Sequence, residues 1–83
     1  MRLLLAEDEK ELSNALVTIL KHNNYPVDAV YDGVEALDYL QAENYDGAIL
    51  DIMMPKMDGL TVLKNLREGG SDLPVLLLTA KSE

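Results

Sequence analysis

Four short apolar runs alternate with stretches in which hydrophobic residues recur every three or four positions. The runs are Leu3 to Ala6, Val27 to Tyr31, Gly47 to Asp51 and Val75 to Thr79. Near-continuous apolar runs of this length are expected of strands buried on both faces of a parallel sheet. Between them, Leu12, Ala15, Leu16, Ile19 and Leu20 form one helical stripe, Ala36, Leu37 and Leu40 a second, and Leu60, Leu63 and Leu66 a third. The punctuation agrees. Asp8 or Glu9 opens the first helix, with Glu11 placed for a capping box from Asp8, while Asn23-Asn24 offers a left-handed stop and Pro26 prevents continuation. Asp32, with Glu35 three residues on, caps the second helix, and Asp58 before Gly59 caps the third, which Gly69-Gly70 ends. Pro55 biases Met54 away from helix, so residues 52–57 read as a loop. Asp28 interrupts the second run, which marks it as an edge strand.

Strand and helix repeat three times, and a bare strand follows. This pattern predicts an α/β fold, an open parallel sheet of four strands with three helices, in one small domain over residues 1–83. Right-handed crossovers and an edge position for the weakest strand give the strand order 2-1-3-4. The winding then reverses between the first and third strands, where ligands bind in such sheets. Val75 to Leu78 is apolar on both faces, as an interior strand should be, yet the sequence stops soon after it. The expectation is a sheet cut short, whose fourth strand and uncovered face make a homo-oligomer.

Charge narrows the partners. The net charge is -8, and the 7 Lys and Arg are scattered, which argues against nucleic-acid binding by this piece and against anionic membrane surfaces. There is no Cys, so neither a disulfide framework nor a thiolate metal site is expected. No signal peptide and no membrane-length apolar stretch is visible, so the expected location is cytoplasmic.

The chemistry lies at the ends of two strands. Glu7 and Asp8 follow the first run and Asp51 closes the third, so three carboxylates converge on the crevice at the reversal. Such groups repel one another unless a cation is bound or ionisation is suppressed. An all-oxygen acidic set without His or Cys favours a hard cation, Mg²⁺. Other polar or soft residues have plainer readings: Asp58 as a helix cap, His22 as a solvated helix-end residue, Met54 and Met57 as core filler.

Glu7-Asp8, the run Asp51-Ile52-Met53-Met54-Pro55-Lys56-Met57-Asp58-Gly59, and Leu78-Thr79-Ala80 together resemble the receiver domain of bacterial two-component response regulators, and most of all its OmpR-like winged-helix class. The resemblance covers the whole chain and implies a flavodoxin-like (CheY-like) fold. It implies that Asp51 is the phosphoacceptor, served by a sensor histidine kinase. Asp8, Asp51 and the carbonyl of Met53 would hold Mg²⁺, with Glu7 acting through water. Thr79 would be the switch hydroxyl and Ala80 the small neighbour that leaves it room, while Pro55 and Gly59 would shape the loop. A receiver catalyses only its own phosphoryl transfer and is not otherwise an enzyme. Complete receivers continue with a fourth helix, a fifth strand bearing a Lys that pairs with the phosphoryl group, and a fifth helix. Lys81 does not match that Lys, so impaired phosphorylation is expected. The alternative is a structural receiver fragment that self-associates without signalling. An aspartate-nucleophile phosphatase would place a second Asp where Met53 stands, and a nucleotide-binding protein would carry a Gly-rich loop after the first strand.

Overall fold

A computed structural model describes residues 1–79. The chain runs β1 (Leu3–Ala6), α1 (Lys10–His22), β2 (Val27–Val30), α2 (Gly33–Ala42), β3 (Gly47–Asp51), α3 (Gly59–Glu68) and β4 (Val75–Leu78). All pairings are parallel, in the order β2-β1-β3-β4. This is the topology expected from the sequence. Among the described residues no helix is long and apolar enough to cross a membrane.

Side chains alternate between the two faces of the sheet. Leu4, Ala6, Val30, Ala48 and Leu50 share one face and form the main core with Ala36 of α2, Val62 and Leu66 of α3, and Met54. Leu5, Ile49 and Leu76 fall on the opposite face by register. There α1 packs over β1 and β2. Leu5 is fully buried, Ile49 is half-buried, and Leu76 is 59% exposed.

Two helical stripes differ from expectation. In α1, Leu16 and Leu20 are half-buried, but Leu12, Ala15 and Ile19 are exposed, Ile19 by 57%. The helix packs chiefly on β1 and β2, so the part of its stripe above those strands closes best. Its one fully buried residue is Ser13, whose Oγ has no hydrogen-bond partner. In α3, Leu60 is exposed and the inner face is Gly59, Val62 and Leu66. That face is rotated because the helix begins with Gly59 pressed against the end of β3.

The caps of α2 and α3 form as expected. Asp32 accepts the Glu35 N–H at 2.8 Å, although Glu35 in return accepts from Tyr31 N–H rather than from Asp32. Asp58 accepts from both the N–H and the hydroxyl of Thr61, at 2.8 and 3.0 Å. The α1 capping box does not form. Glu9 is the N-cap and its side chain makes no cap hydrogen bond, while its own N–H donates to Glu7 Oε2 at 2.9 Å. Asn24 adopts φ 69°, the left-handed stop anticipated there.

Asp28, the polar break in β2, anchors that edge strand. It accepts from the Arg2 guanidinium and from the Tyr45 hydroxyl, each at 2.7 Å. Arg2 also lies over the Tyr45 ring, 4.7 Å from its centroid, and reaches Glu43 at 3.4 Å. Burial and the neighbouring Asp28 raise the Tyr45 phenol well above its ordinary pKa.

Candidate functional site

Pairing of β1 with β3 sets Ala6 opposite Leu50, so the residues that follow each, Glu7 and Asp51, leave the sheet at the same level. Asp8 comes next. One carboxylate oxygen from each of Glu7, Asp8 and Asp51 lies within 4.8 Å of the others. Glu7 and Asp51 are 4% and 6% exposed, while Asp8 is open to solvent.

Each buried member has one backbone donor. Glu9 N–H reaches Glu7, and Met53 N–H reaches Asp51 Oδ1 at 3.2 Å. These donors do not offset desolvation. Burial raises the Glu7 carboxyl above its ordinary pKa, and the charges of Asp51 and Asp8 add to it. Burial likewise raises Asp51, with Asp8 adding. Among the described residues the ion pairs join Arg2 with Asp28 and Glu43, and Lys56 with Asp32, so none reaches the trio.

The loop after Asp51 is held close to the site. Gly59 N–H donates to the Ile52 carbonyl at 2.9 Å, and a Cβ at Gly59 would overlap the Asp51 carbonyl oxygen. Gly33 N–H donates to the Pro55 carbonyl at 3.3 Å, and a Cβ there would overlap the Met57 carbonyl. Between these points Lys56 adopts φ 70° and pairs with Asp32 at 3.6 Å. Glycine is required at 33 and 59 by close backbone approach rather than by turn geometry.

The structure therefore brings Glu7, Asp8 and Asp51 together. The Met53 N–H adjoins them, although the residue as a whole is 71% exposed. Thr79 directly follows Leu78, the register partner of Asp51, and so stands at the same end of the sheet, exposed. Ala80 and Lys81 lie outside the described residues. Asp58 is occupied as the α3 cap, although it borders the same depression as Asp8, Met53 and Leu60. Two features of the site escape the sequence reading: the Glu9 N–H on Glu7, and the docking of Gly33 on the loop. A Gly directly after a capping Asp was the only available hint of the second.

Buried, mutually repelling oxygen ligands with no cationic partner among the described residues fit a hard divalent ion. Fold and site together define an open α/β domain with an acidic pocket at its switch point, the architecture of a signalling receiver. A family model described as the response regulator receiver domain matches residues 3–83, and the chain belongs to that family. It is 55% identical over 82 residues to the transcriptional regulatory protein TctD of Salmonella typhimurium, covering 99% of this chain and 37% of that protein. It is 47% identical over 83 residues to the transcriptional regulatory protein DltR of Streptococcus agalactiae, covering all of this chain and again 37% of the relative. The chain thus spans little more than a third of these relatives' length. The response regulator TrrA of Thermotoga maritima, solved in complex with Mg²⁺–BeF, superposes with a TM-score of 0.92 at 38% identity, over 98% of this chain and 70% of that one.

Proposed function

We propose that this chain is a phosphoacceptor receiver of a two-component system, taking a phosphoryl group on Asp51 from a sensor histidine kinase in the cytoplasm. One observation carries the reading: three carboxylates within 4.8 Å at the winding reversal, two of them buried without a cation partner among the described residues. Asp8, Asp51 and the Met53 carbonyl would hold Mg²⁺, with Glu7 assisting through water, and the Mg²⁺–BeF complex of TrrA supports that choice of ion. When bound, the ion supplies positive charge at the phosphoryl oxygens and relieves repulsion within the trio.

The protein's part is positioning. An Asp51 carboxylate oxygen attacks phosphorus as the P–N bond of the donor phosphohistidine breaks. The imidazole leaves with the bonding pair and an acyl phosphate remains. Met53 N–H, already on Asp51 Oδ1, fixes the rotation of the nucleophile. Thr79 would donate its hydroxyl to the new phosphoryl group and so report its presence. The relatives' role in transcription supports an OmpR-like parent protein.

For the 83-residue chain by itself we propose slow phosphorylation. Loss of one charge-stabilising contact costs about 10²–10³ in rate, and no ion pair reaches the trio among the described residues. Incubation with a small phosphodonor and Mg²⁺, read by intact mass, should show slow incorporation that Asp51→Asn abolishes. Incorporation that survives Asp51→Asn would exclude Asp51 as acceptor. In a Mg²⁺ titration, shifts should centre on Glu7, Asp8, Asp51 and Met53, and shifts centred on Asp28 or Glu43 would place the ion elsewhere.

A second reading, self-association through β4 and the open sheet face, draws support from the exposure of Leu76 and Ile19. Sedimentation at micromolar concentration tests it, and a well-folded monomer would dismiss it.

A further inference from the structure

The function proposed above uses only the backbone of Met53, yet the Met53 side chain occupies a telling position. It lines one depression together with Asp8, Ile52, Pro55 and Leu60. The residue is 71% exposed, while its N–H is fixed on Asp51 Oδ1 at 3.2 Å. A thioether sulfur is soft and a poor ligand for a hard cation. Its two-electron oxidation product, the sulfoxide, carries a polar oxygen of the type hard cations take.

We propose that Met53 is a hydroperoxide-responsive modification site, whose sulfoxide oxygen joins the carboxylate trio as a further hard donor and tightens its hold on a divalent cation. The cation half of the inference rests on the reading of the trio as a metal site. In the step itself, the sulfur lone pair attacks one oxygen of the hydroperoxide. The O–O bond breaks as the S–O bond forms, and the proton of the transferred hydroxyl passes to the leaving oxygen. With hydrogen peroxide the products are sulfoxide and water: sulfur is oxidised by two electrons and the peroxide is reduced by two.

The other methionines supply internal controls. Met54 is 8% exposed in the core. Met57 is half-buried, and its sulfur accepts from Asn65 Nδ2 at 3.9 Å. Met1 is 70% exposed, as open as Met53, but lies beside Leu3 and Asp46 at the opposite end of the strands. Equal exposure at two ends of the sheet separates oxidation from its consequence.

The test treats the folded chain with hydrogen peroxide, maps oxygen addition by peptide mass, and titrates Mg²⁺ while following the amide signals of Asp8 and Asp51. Met53 and Met1 should oxidise well ahead of Met54 and Met57. Mg²⁺ affinity should rise by about tenfold, no less than even an outer-shell partner contributes at a metal site. The rise should track the oxidation of Met53 and not of Met1, reverse with a methionine sulfoxide reductase, and be absent in Met53→Leu. Oxidation of Met53 no faster than of Met54 overturns the proposal, as does an affinity that stays level or falls once Met53 is oxidised. No Mg²⁺ response at the trio of the untreated chain would defeat the metal reading given above. A response that appears only after oxidation would then still sustain the present inference, and none in either state would end it.

Discussion

Gly59→Ala offers a sharp test of how the site is built. The added Cβ would overlap the Asp51 carbonyl oxygen and stand 3.0 Å from the Asp51 carbonyl carbon and 3.1 Å from Ile52 Cα. All three are backbone atoms at the end of an interior strand, so no side chain can swing away to make room. Overpacking of this kind costs about 1–3 kcal/mol. Alanine recovers part of that through helix propensity, at most about 1 kcal/mol and less at the first helical position. The net expectation is a loss of about 1–2 kcal/mol. For a domain of this size that lowers Tm by about 4–8 °C per kcal/mol. Gly69→Ala is the control: its Cβ would meet the Asn65 carbonyl oxygen at 3.4 Å, an ordinary contact, and φ there is -81°. It should stay within about 0.5 kcal/mol of the parent. Thermal and urea unfolding measure both, and a Mg²⁺ titration of each reports on the site. Because the displaced atoms belong to Asp51 itself, Gly59→Ala should weaken the Mg²⁺ response as well as stability. Equal stability of Gly59→Ala and Gly69→Ala, with an unchanged Mg²⁺ response, would refute the placement of this helix start against the strand end.

Three further outcomes follow from the described contacts. Glu7 and Asp51 are held above the ordinary carboxylate range by burial, so the native chain keeps protons that the unfolded chain has lost; stability should fall as pH rises from ordinary carboxylate values through the raised ones, and urea unfolding of Asp51→Asn should show a flatter fall. Asp28, lowered chiefly by the Tyr45 hydroxyl, acts in the opposite sense, its contribution being present above the ordinary range and lost as pH falls. Tyr45→Phe removes that hydroxyl from Asp28 and should cost about 1 kcal/mol in urea unfolding, with no change in the Mg²⁺ titration at the other end of the sheet. Lys56→Gly relieves a left-handed residue at φ 70° and should raise stability by about 1 kcal/mol, since the exposed pair with Asp32 offsets little of that gain; a loss of stability would mean the pair outweighs the backbone.

Much of this molecule is legible in its sequence because periodicity and punctuation act locally. The strands and helices, the caps at Asp32 and Asp58 and the left-handed stop at Asn24 all follow from residues within a few positions of one another. The convergence of Glu7, Asp8 and Asp51 was legible for a different reason, since parallel strands of known order deliver their ends to one edge. What escaped was rotation and reciprocity. Leu60 has helical spacing with Leu63, yet Gly59 against the strand end turns α3 so that Val62 takes the inner face. Leu12 and Ile19 have the spacing of buried residues, but α1 packs chiefly on two strands. The capping box expected of Asp8 and Glu11 is missing because the helix starts one residue later, with Glu9 as its N-cap and the Glu9 amide given to the buried Glu7 carboxylate.

The trio is assembled from strands whose paired residues lie far apart along the chain, Leu3 opposite Gly47 and Ala6 opposite Leu50. Closing a loop of this length is entropically costly. Glu7 and Asp8 therefore meet Asp51 only when β1 docks on β3, and the repulsion among them is first felt at that moment. The central pairing of the sheet and the gathering of like charge are one kinetic step. An ion that settles among these carboxylates acts on the folding barrier as well as on the finished protein: if the pairing precedes the transition state, Mg²⁺ quickens folding, and if it follows, Mg²⁺ slows unfolding.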